Sequence, residues 1–353
     1  MLGLVGLTLL VAACEKKESP TDGAARPAAS IDKVQALDPD LAQAVAQASA
    51  RAPRGAAPNQ EGGPPARGIF GPGAADKELP RGQPAKLTLG GQGSEPRVPL
   101  APPALKPGLK QTGSIQVIQQ SEGGGLPVEF GVAFEVPKPK TEAKPVDGAA
   151  APIGVPVELR ITSARLSVVG APREIEEKVA KLKGAKISYE LLPNGAGNAF
   201  RYELPKGADV ELGDVVRSLT DVVSVITLPR PEQPLGVGGF WMVTSRDETL
   251  GQDLVTYRLV KVTRIDGVKV SLSVNTKRYS ASPSFDWPGL PPDAPRGLAE
   301  FQALAEGTLE LDATKPLPFG GSQNSVMAAT LGDAQKPRGA GTVEIRTRAE
   351  LKL

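Results

Sequence analysis

The side chain best suited to covalent chemistry is that of Cys14, the only cysteine among the 353 residues of the chain. It ends an uncharged, mostly apolar run, and small residues stand just before it. This order is typical of a bacterial lipobox, where a signal peptidase cuts before the Cys and the thiol takes diacylglycerol. Several acyl chains on one residue form a durable membrane anchor. We therefore predict a signal peptide over residues 1–13, lipidation of Cys14, and peptidase recognition by Leu10, Val11, Ala12 and Ala13.

The apolar run predicts a location in the cell envelope. It is too short to span a bilayer as a helix, which needs ~20 residues. It departs from the usual signal peptide in having no Lys or Arg before it. Glu15, rather than Asp, follows the Cys, and by resemblance to enterobacterial sorting this favours the outer membrane, facing the periplasm or the cell surface. We expect the membrane as a partner through the anchor, and a lipid or an envelope protein as a further partner.

Other residues that commonly carry chemistry are missing or badly placed. The chain contains no histidine, which excludes His-based triads, Cys-His dyads and the usual zinc sites. Ser30-Ile-Asp-Lys33 has the S-x-x-K form but lies in a segment that cannot hold a Lys at lowered pKa. Glu176 and Glu177 are first-turn acids of a predicted helix, not a hydrolytic pair. The sequence predicts no catalytic residue, cofactor or metal, and no enzyme; a net charge of +2 gives no case for nucleic acid.

Residues 14–111 have the composition of a tether. Pro, Gly and Ala dominate, and Phe70 is the single aromatic residue. Such a segment buries too little apolar area to offset its ordering entropy. We predict a disordered tether, with a short helix near residues 38–50 where Asp38 precedes Pro39 and an Ala-rich stretch.

Residues 112–353 have the pattern of a folded domain. Apolar and polar residues alternate over 128–136 and again over 155–168, which predicts half-buried strands. In the second strand the apolar phase reverses near Thr162-Ser163, and a period of two reverses only through an extra residue. We therefore predict a β-bulge there and a curved sheet.

Two amphipathic helices and several hairpins complete the predicted domain. Helices are indicated over 172–184 and 209–226, and strands over 186–192, 199–204, 307–313 and 342–353. Asp266-Gly267 predicts a two-residue hairpin turn that sets Ile265 opposite Val268 and leaves Arg258 on the wet face. The sequence predicts an α+β fold: a mainly antiparallel, curved sheet, half-barrel or β-clam like, with two or three packing helices.

One loop stands out between the second helix and a strand. It runs P-E-Q-P-L-G-V-G-G-F-W, and its structural motif consists of Pro234, Gly236, Gly238, Gly239 and Trp241. The favoured interpretation is that Trp241 anchors the core; the alternative is that the glycines leave room for a ligand beside the indole.

This loop also carries a resemblance. With a tyrosine-containing hairpin at 256–260 and a strand G-T-L-E-L-D at 307–312, it resembles an uncharacterised family of bacterial envelope lipoproteins with a P-x-x-P-V-G-V-G-x-x-W type motif. The resemblance covers 184–353 and has Leu235 where Val is usual. It implies an envelope location and an approximate fold. No activity is attached to the family, so the resemblance implies no catalytic residue.

Three functions remain open from the sequence. The first is a non-enzymatic binding or structural module held by the lipid anchor. The second is a carrier of lipid or another hydrophobic ligand in a half-barrel, for which we expect an apolar cavity larger than ~300 Å³. The third and weakest is a cell-wall hydrolase that uses two carboxylates ~5–9 Å apart.

Overall fold

The computed structural model describes residues 65, 67–121, 124–138, 154–168, 170–209, 212–249, 252–285, 296–332 and 341–353. These residues form twelve strands and three helices. The helices are α1 (Ala74–Glu78), α2 (Arg173–Ala180) and α3 (Gly213–Ile226). The strands are β1 (Lys86–Gly91), β2 (Lys110–Ser121), β3 (Gly124–Glu135), β4 (Val155–Leu166), β5 (Lys186–Leu191), β6 (Gly197–Glu203), β7 (Phe240–Thr249), β8 (Gln252–Asp266), β9 (Lys269–Ser280), β10 (Leu298–Asp312), β11 (Gly320–Leu331) and β12 (Thr342–Lys352).

All twelve strands belong to one antiparallel sheet in the order β1-β7-β8-β9-β10-β11-β12-β2-β3-β4-β5-β6. The sheet does not close, because β1 and β6 are its two ends. Helix α3 contacts β7 near one end, β2 in the middle and β6 at the other end. A single helix reaches all three only because the sheet curves around it. The predicted α+β class with a curved antiparallel sheet is confirmed.

The bulge predicted in β4 is confirmed. Gly131 of β3 pairs with Ser163, and the next residue, Val132, pairs with Ile161, so Thr162 is the extra residue. On either side of it the buried positions change phase, with Ile161 and Ala164 both facing the core. The bulge keeps apolar side chains inward on both halves of the strand, which is the reason that the sequence pattern reverses.

The core is built between the sheet and the predicted helices. Val216, Leu219 and Val223 of α3 are fully buried, as are Val179 of α2 and Leu182 in the turn after it. These residues share one cluster with inward-facing side chains of nine strands, namely β2–β5, β7–β10 and β12. Helix α3 is therefore the central filling of the sheet.

The predicted β8–β9 hairpin is present, but its predicted register is wrong. Asp266 pairs with Lys269, so the loop residues are Gly267 and Val268, and Gly267 supplies the positive φ of 58° at the first loop position. A second irregularity leaves Thr263 unpaired between Val262 and Arg264. Val260 and Val262, which precede this bulge, lie on the concave face. Arg258, two residues before Val260, lies on the same face of the strand, where it is buried rather than exposed to solvent.

The folded part of the chain extends to residues before 112. Strand β1 pairs with β7, and Leu79 and Leu100 are each only 1% exposed. Residue Ala75 of α1 packs with tyrosines on the convex face of β7–β9. A few apolar side chains suffice here because strands β7–β9 supply the surface on which they pack. The folded part therefore includes residues 67–111, while the predicted signal peptide, Cys14, the helix predicted near 38–50 and the predicted tether up to residue 64 lie outside the described residues.

Candidate functional site

The glycine-rich loop packs against backbone. The amide of Gly236 donates to the carbonyl of Gln92 (2.8 Å), and Leu235 and Val98 exchange hydrogen bonds as an isolated bridge. A Cβ on Gly236 would lie 1.5 Å from the carbonyl oxygen of Ser94. The space beside Gly236 and Gly239 is therefore occupied by the backbone of residues 92–96, which leaves no room for a ligand there. Pro234 lies on the exposed rim of this loop.

Trp241 anchors the core at the end of the same loop. The residue is fully buried, and its indole Nε1 donates to the carbonyl of Pro229 at 2.9 Å. Gly238 has φ 82°, and its amide donates to the carbonyl of Val262, while the amide of Val262 donates to Gly239. The structure thus brings the motif together as a structural corner that joins the end of α3 to β7, and the ligand interpretation is not supported by the space around the indole.

The charged part of the concave face lies near the other end of β7. The Arg258 guanidinium donates to Ser245 (Nη1–Oγ 2.6 Å) and to Asp247 (Nη2–Oδ2 3.0 Å). The Arg258 side chain is only 3% exposed and that of Asp247 is 19% exposed. Burial acts to raise the pKa of Asp247, but the charges of Arg258 and Arg278 outweigh it and lower that pKa below its ordinary value.

A second ion pair joins this region to the central helix. The Nη1 of Arg278 on β9 lies 3.1 Å from Oδ2 of Asp221 on α3, and the hydroxyl of Thr249 donates to the other oxygen of that carboxylate at 3.0 Å. Ser218, one turn earlier on α3, donates to the side chain of Gln119 on β2 at 2.7 Å. Helix α3 is thus held by apolar packing along its length and by polar contacts near its middle.

Two small gaps remain between α3 and the sheet. One of about 20 Å³ is lined mainly by apolar and small residues, including Val222, Ile226, Ala305 and Ala349. The other, of about 30 Å³, lies beside Asp221, Arg278 and Thr347. Each has room for about one or two water molecules. A groove of about 250 Å³ on another side of the body is lined by prolines, leucines, Ala104, Gly154 and Val155, with no polar side chain among these described residues to orient a ligand.

Arg230 is a buried cation of a different kind. It is 5% exposed, and its Nη2 donates to the carbonyl of Pro316 at 2.8 Å. Burial lowers its pKa to about 10, so the group stays charged at neutral pH. Its partners are backbone carbonyls, which fits a role in fastening the β10–β11 loop beneath the glycine-rich corner.

Sequence reasoning missed the buried ion pairs. A signal was available, since Asp247, Arg258 and Arg278 stand at positions that share a sheet face with Val243, Val260 and Val274. A charged residue in phase with core residues marks a paired, buried charge. No group of three or more acidic or sulfur side chains among the described residues is placed to hold a metal ion, and no described helix is long and apolar enough to cross a membrane.

Comparison with known proteins adds a weak similarity of shape. No family model and no curated protein sequence matches the chain. A solved structure entitled "Lipid-protein interactions in lipovitellin" is similar over 70% of this chain, with a TM-score of 0.42 and 11% sequence identity. The match spans only 25% of that protein's own chain.

Proposed function

We propose that the protein is a non-enzymatic binding or structural module of the bacterial cell envelope, held to the membrane by lipid on Cys14. The observation that carries the proposal is the filled concave face. Helix α3 occupies it, and the charged side chains there are matched as Arg258 with Asp247 and Arg278 with Asp221. A catalytic pocket needs room for substrate next to groups with perturbed protonation, whereas these groups stabilise a packed interior.

The carboxylates of the body suit binding and stability better than hydrolysis. A glycosidase needs one carboxyl group whose raised pKa lets it act as an acid. Burial acts to raise the pKa of Asp253, but the contacts of this carboxylate with Arg246 and Arg81 outweigh burial. The net result is a lowered pKa, as at Asp247. These two acids are held ionised, which disfavours the hydrolase.

The anchor is part of the proposal and is directly testable. The full chain is expressed with its N-terminal segment in a bacterium, beside the Cys14→Ser variant. We expect the wild-type chain in the membrane fraction, with Cys14 as the acylated N-terminal residue in mass spectrometry of the leading peptide, and the variant uncleaved and unacylated. An unmodified Cys14 thiol in a wild-type chain recovered from the aqueous fraction would refute the anchor. The resemblance over 184–353 to envelope lipoproteins agrees with this location but does not establish it.

A second candidate function is transport of a lipid or another hydrophobic ligand. One observation favours it: the gaps of about 20 and 30 Å³ lie one after the other between α3 and the same strands. Neither reaches the ~300 Å³ of a preformed ligand cavity, so a carrier role requires α3 to move. Solvent extraction of the purified, folded protein followed by lipid mass spectrometry tests it; co-purified lipid at one molecule per chain supports transport, and a lipid-free extract contradicts it.

A further inference from the structure

Helix α3 lies unevenly in the concave face. Its backbone approaches β2, β6 and β7, whereas toward β9–β12 it presents the side chains of Val222, Val225 and Ile226. Four of the residues that line the gap opposite these side chains on β10–β12 are small, namely Ala305, Gly307, Gly321 and Ala349, while Leu309, Gln323 and Leu351 line it on the same faces of these strands. The first gap exists because short side chains face the helix on this side.

The glycines and the alanines have different reasons to be small. A Cβ on Gly307 would lie 2.3 Å from the carbonyl oxygen of Ser322, and one on Gly321 would lie 2.6 Å from that of Thr308, so backbone packing already requires both glycines. Half-buried Ala305 differs from these glycines because it already carries a side chain, which lines the gap. Ala305 is therefore the position at which a larger side chain would enter the gap.

The two gaps lie next to each other along β10–β12 and together define a track. Their linings lie two residues apart on the same face of each strand: Ala305 then Ala303 on β10, Gln323 then Ser325 on β11, and Ala349 then Thr347 on β12. Residues two apart in a strand are neighbours on one face. From Leu309 to Ala303 the track runs about six residues, or ~20 Å at ~3.3 Å per residue. Its first part is apolar and its far end is polar.

The polar end carries an unused hydrogen-bond donor. The Nη atoms of Arg278 contact Asp221, but its Nε is buried without a hydrogen-bond partner, and the residue as a whole is 6% exposed. The hydroxyl-bearing Ser325 and Thr347 line the same gap. An acceptor that reached this atom when α3 shifts would satisfy a buried donor that is unpaired in the present structure.

We propose that this track binds one long acyl chain that ends in a hydrogen-bond-accepting headgroup, with the tail along β10–β12 and the headgroup at Arg278. This proposal rests on the binding function proposed above and names its ligand class. Because the gaps are smaller than an acyl chain, α3 moves outward on binding. The contacts of Asp221 with Arg278 and of Ser218 with Gln119 hold it in place beforehand, and water can replace such polar contacts when they open.

The test uses the mature chain with the Cys14→Ser substitution. This variant carries no lipid, so the whole folded body is handled in solution without detergent. Palmitate is titrated and binding is followed by native mass spectrometry, with hexadecane as the probe without a headgroup. We expect one palmitate per chain and at least about tenfold weaker binding of hexadecane, equivalent to ~1.4 kcal/mol. Absence of saturable palmitate binding by protein that is folded by circular dichroism would overturn the proposal.

Two variants and a matched control locate the site. Ala305→Leu fills the track and should weaken palmitate binding at least about tenfold, while Ala328→Leu makes the same change on the convex face of β11 and should not. Asp221→Asn releases Arg278 for the carboxylate of palmitate and loosens α3, so affinity should rise severalfold. Equal effects of the two leucine variants, or no gain in Asp221→Asn, would refute this site. Neither failure touches the anchoring experiment on Cys14, so the two proposals fail separately.

Discussion

The buried pair of Arg258 and Asp247 gives the sharpest test of how the concave face is stabilised. Arg258→Met removes the cation but keeps most of the side-chain volume. Asp247 then retains the hydrogen bond from Ser245, 2.9 Å away, but loses its nearest charge. Removing one partner of a buried ion pair typically destabilises by ~3–5 kcal/mol. Asp247 keeps its charge in this variant, and its side chain is only 19% exposed, so solvent replaces the lost partner in part and we expect a loss near the lower end of that range.

The double variant separates the pair from its surroundings. Arg258→Met with Asp247→Leu leaves no uncompensated charge, and such double replacements are often nearly neutral. We expect it to lie within ~1 kcal/mol of wild type, which makes the two single changes strongly non-additive. The assay is urea unfolding followed by circular dichroism, with unchanged m-values as the sign that the folded state is intact.

A surface pair provides the control for these measurements. Arg348 on β12 contacts Glu350, and its side chain is 63% exposed. Arg348→Met should change stability by no more than ~1 kcal/mol, because water screens the pair. The reasoning is refuted if Arg258→Met has an effect as small as this control, or if the double variant is as unstable as the single one.

Three further outcomes are expected. Trp241→Phe removes the donor to a buried carbonyl and leaves a small cavity, which should lower the free energy of unfolding by ~2–3 kcal/mol in the same urea assay; a change below ~0.5 kcal/mol would contradict its anchoring role. Gly236→Ala should destabilise far more than Gly238→Ala, because only the first meets backbone, at 1.5 Å, while the second meets only the strain of φ 82° at ~1–2 kcal/mol; equal melting temperatures would be inconsistent with this. Asp247 and Asp253 have folded pKa values below their unfolded values, so their stabilisation is present above ~pH 4 and is lost as the pH falls through the folded values; a urea midpoint that does not fall between pH 5 and 3 would argue against it.

Local patterns predicted the elements whose side chains pack in a regular period. The reversal near Thr162-Ser163 predicted a bulge, which the structure places at Thr162, because burial on one face leaves no other way to change phase. Helix α3 was predicted from the spacing of Val216, Leu219 and Val223, though its described part begins later than the predicted residue 209. Trp241 was assigned to the core, where it lies. These features depend on neighbours in sequence, which is the range over which pattern reasoning works.

Features that depend on distant partners were not predicted. Composition alone assigned residues 67–111 to a tether, but Leu79, Leu100 and β1 dock on strands more than a hundred residues later. The hairpin register failed because the Asp266-Gly267 pair suggested one turn while Gly267 at the first loop position and a bulge at Thr263 set another. The prediction that Arg258 faces solvent failed because it assumed that β8 is buried on one face only. Residues 69–79 cover the face of β8 opposite to Arg258, so this strand is buried on both faces, and nothing in the local sequence shows it.

The distribution of charge on the concave face supports the proposed outward movement of α3. A helix meant only to fill a core is held most stably by apolar contacts, since a buried ion pair contributes little net stability against well-packed apolar residues. Here the pair of Asp221 and Arg278 joins the helix to the sheet at the polar end, and Asp221 keeps 20% of its side chain in contact with solvent. When the helix shifts, both groups regain water, so separating them is less unfavourable than exposing an equal apolar surface. An acyl chain that covers Ala305 and its neighbours would offset the apolar area that α3 gives up, and that exchange is what Asp221→Asn should make easier.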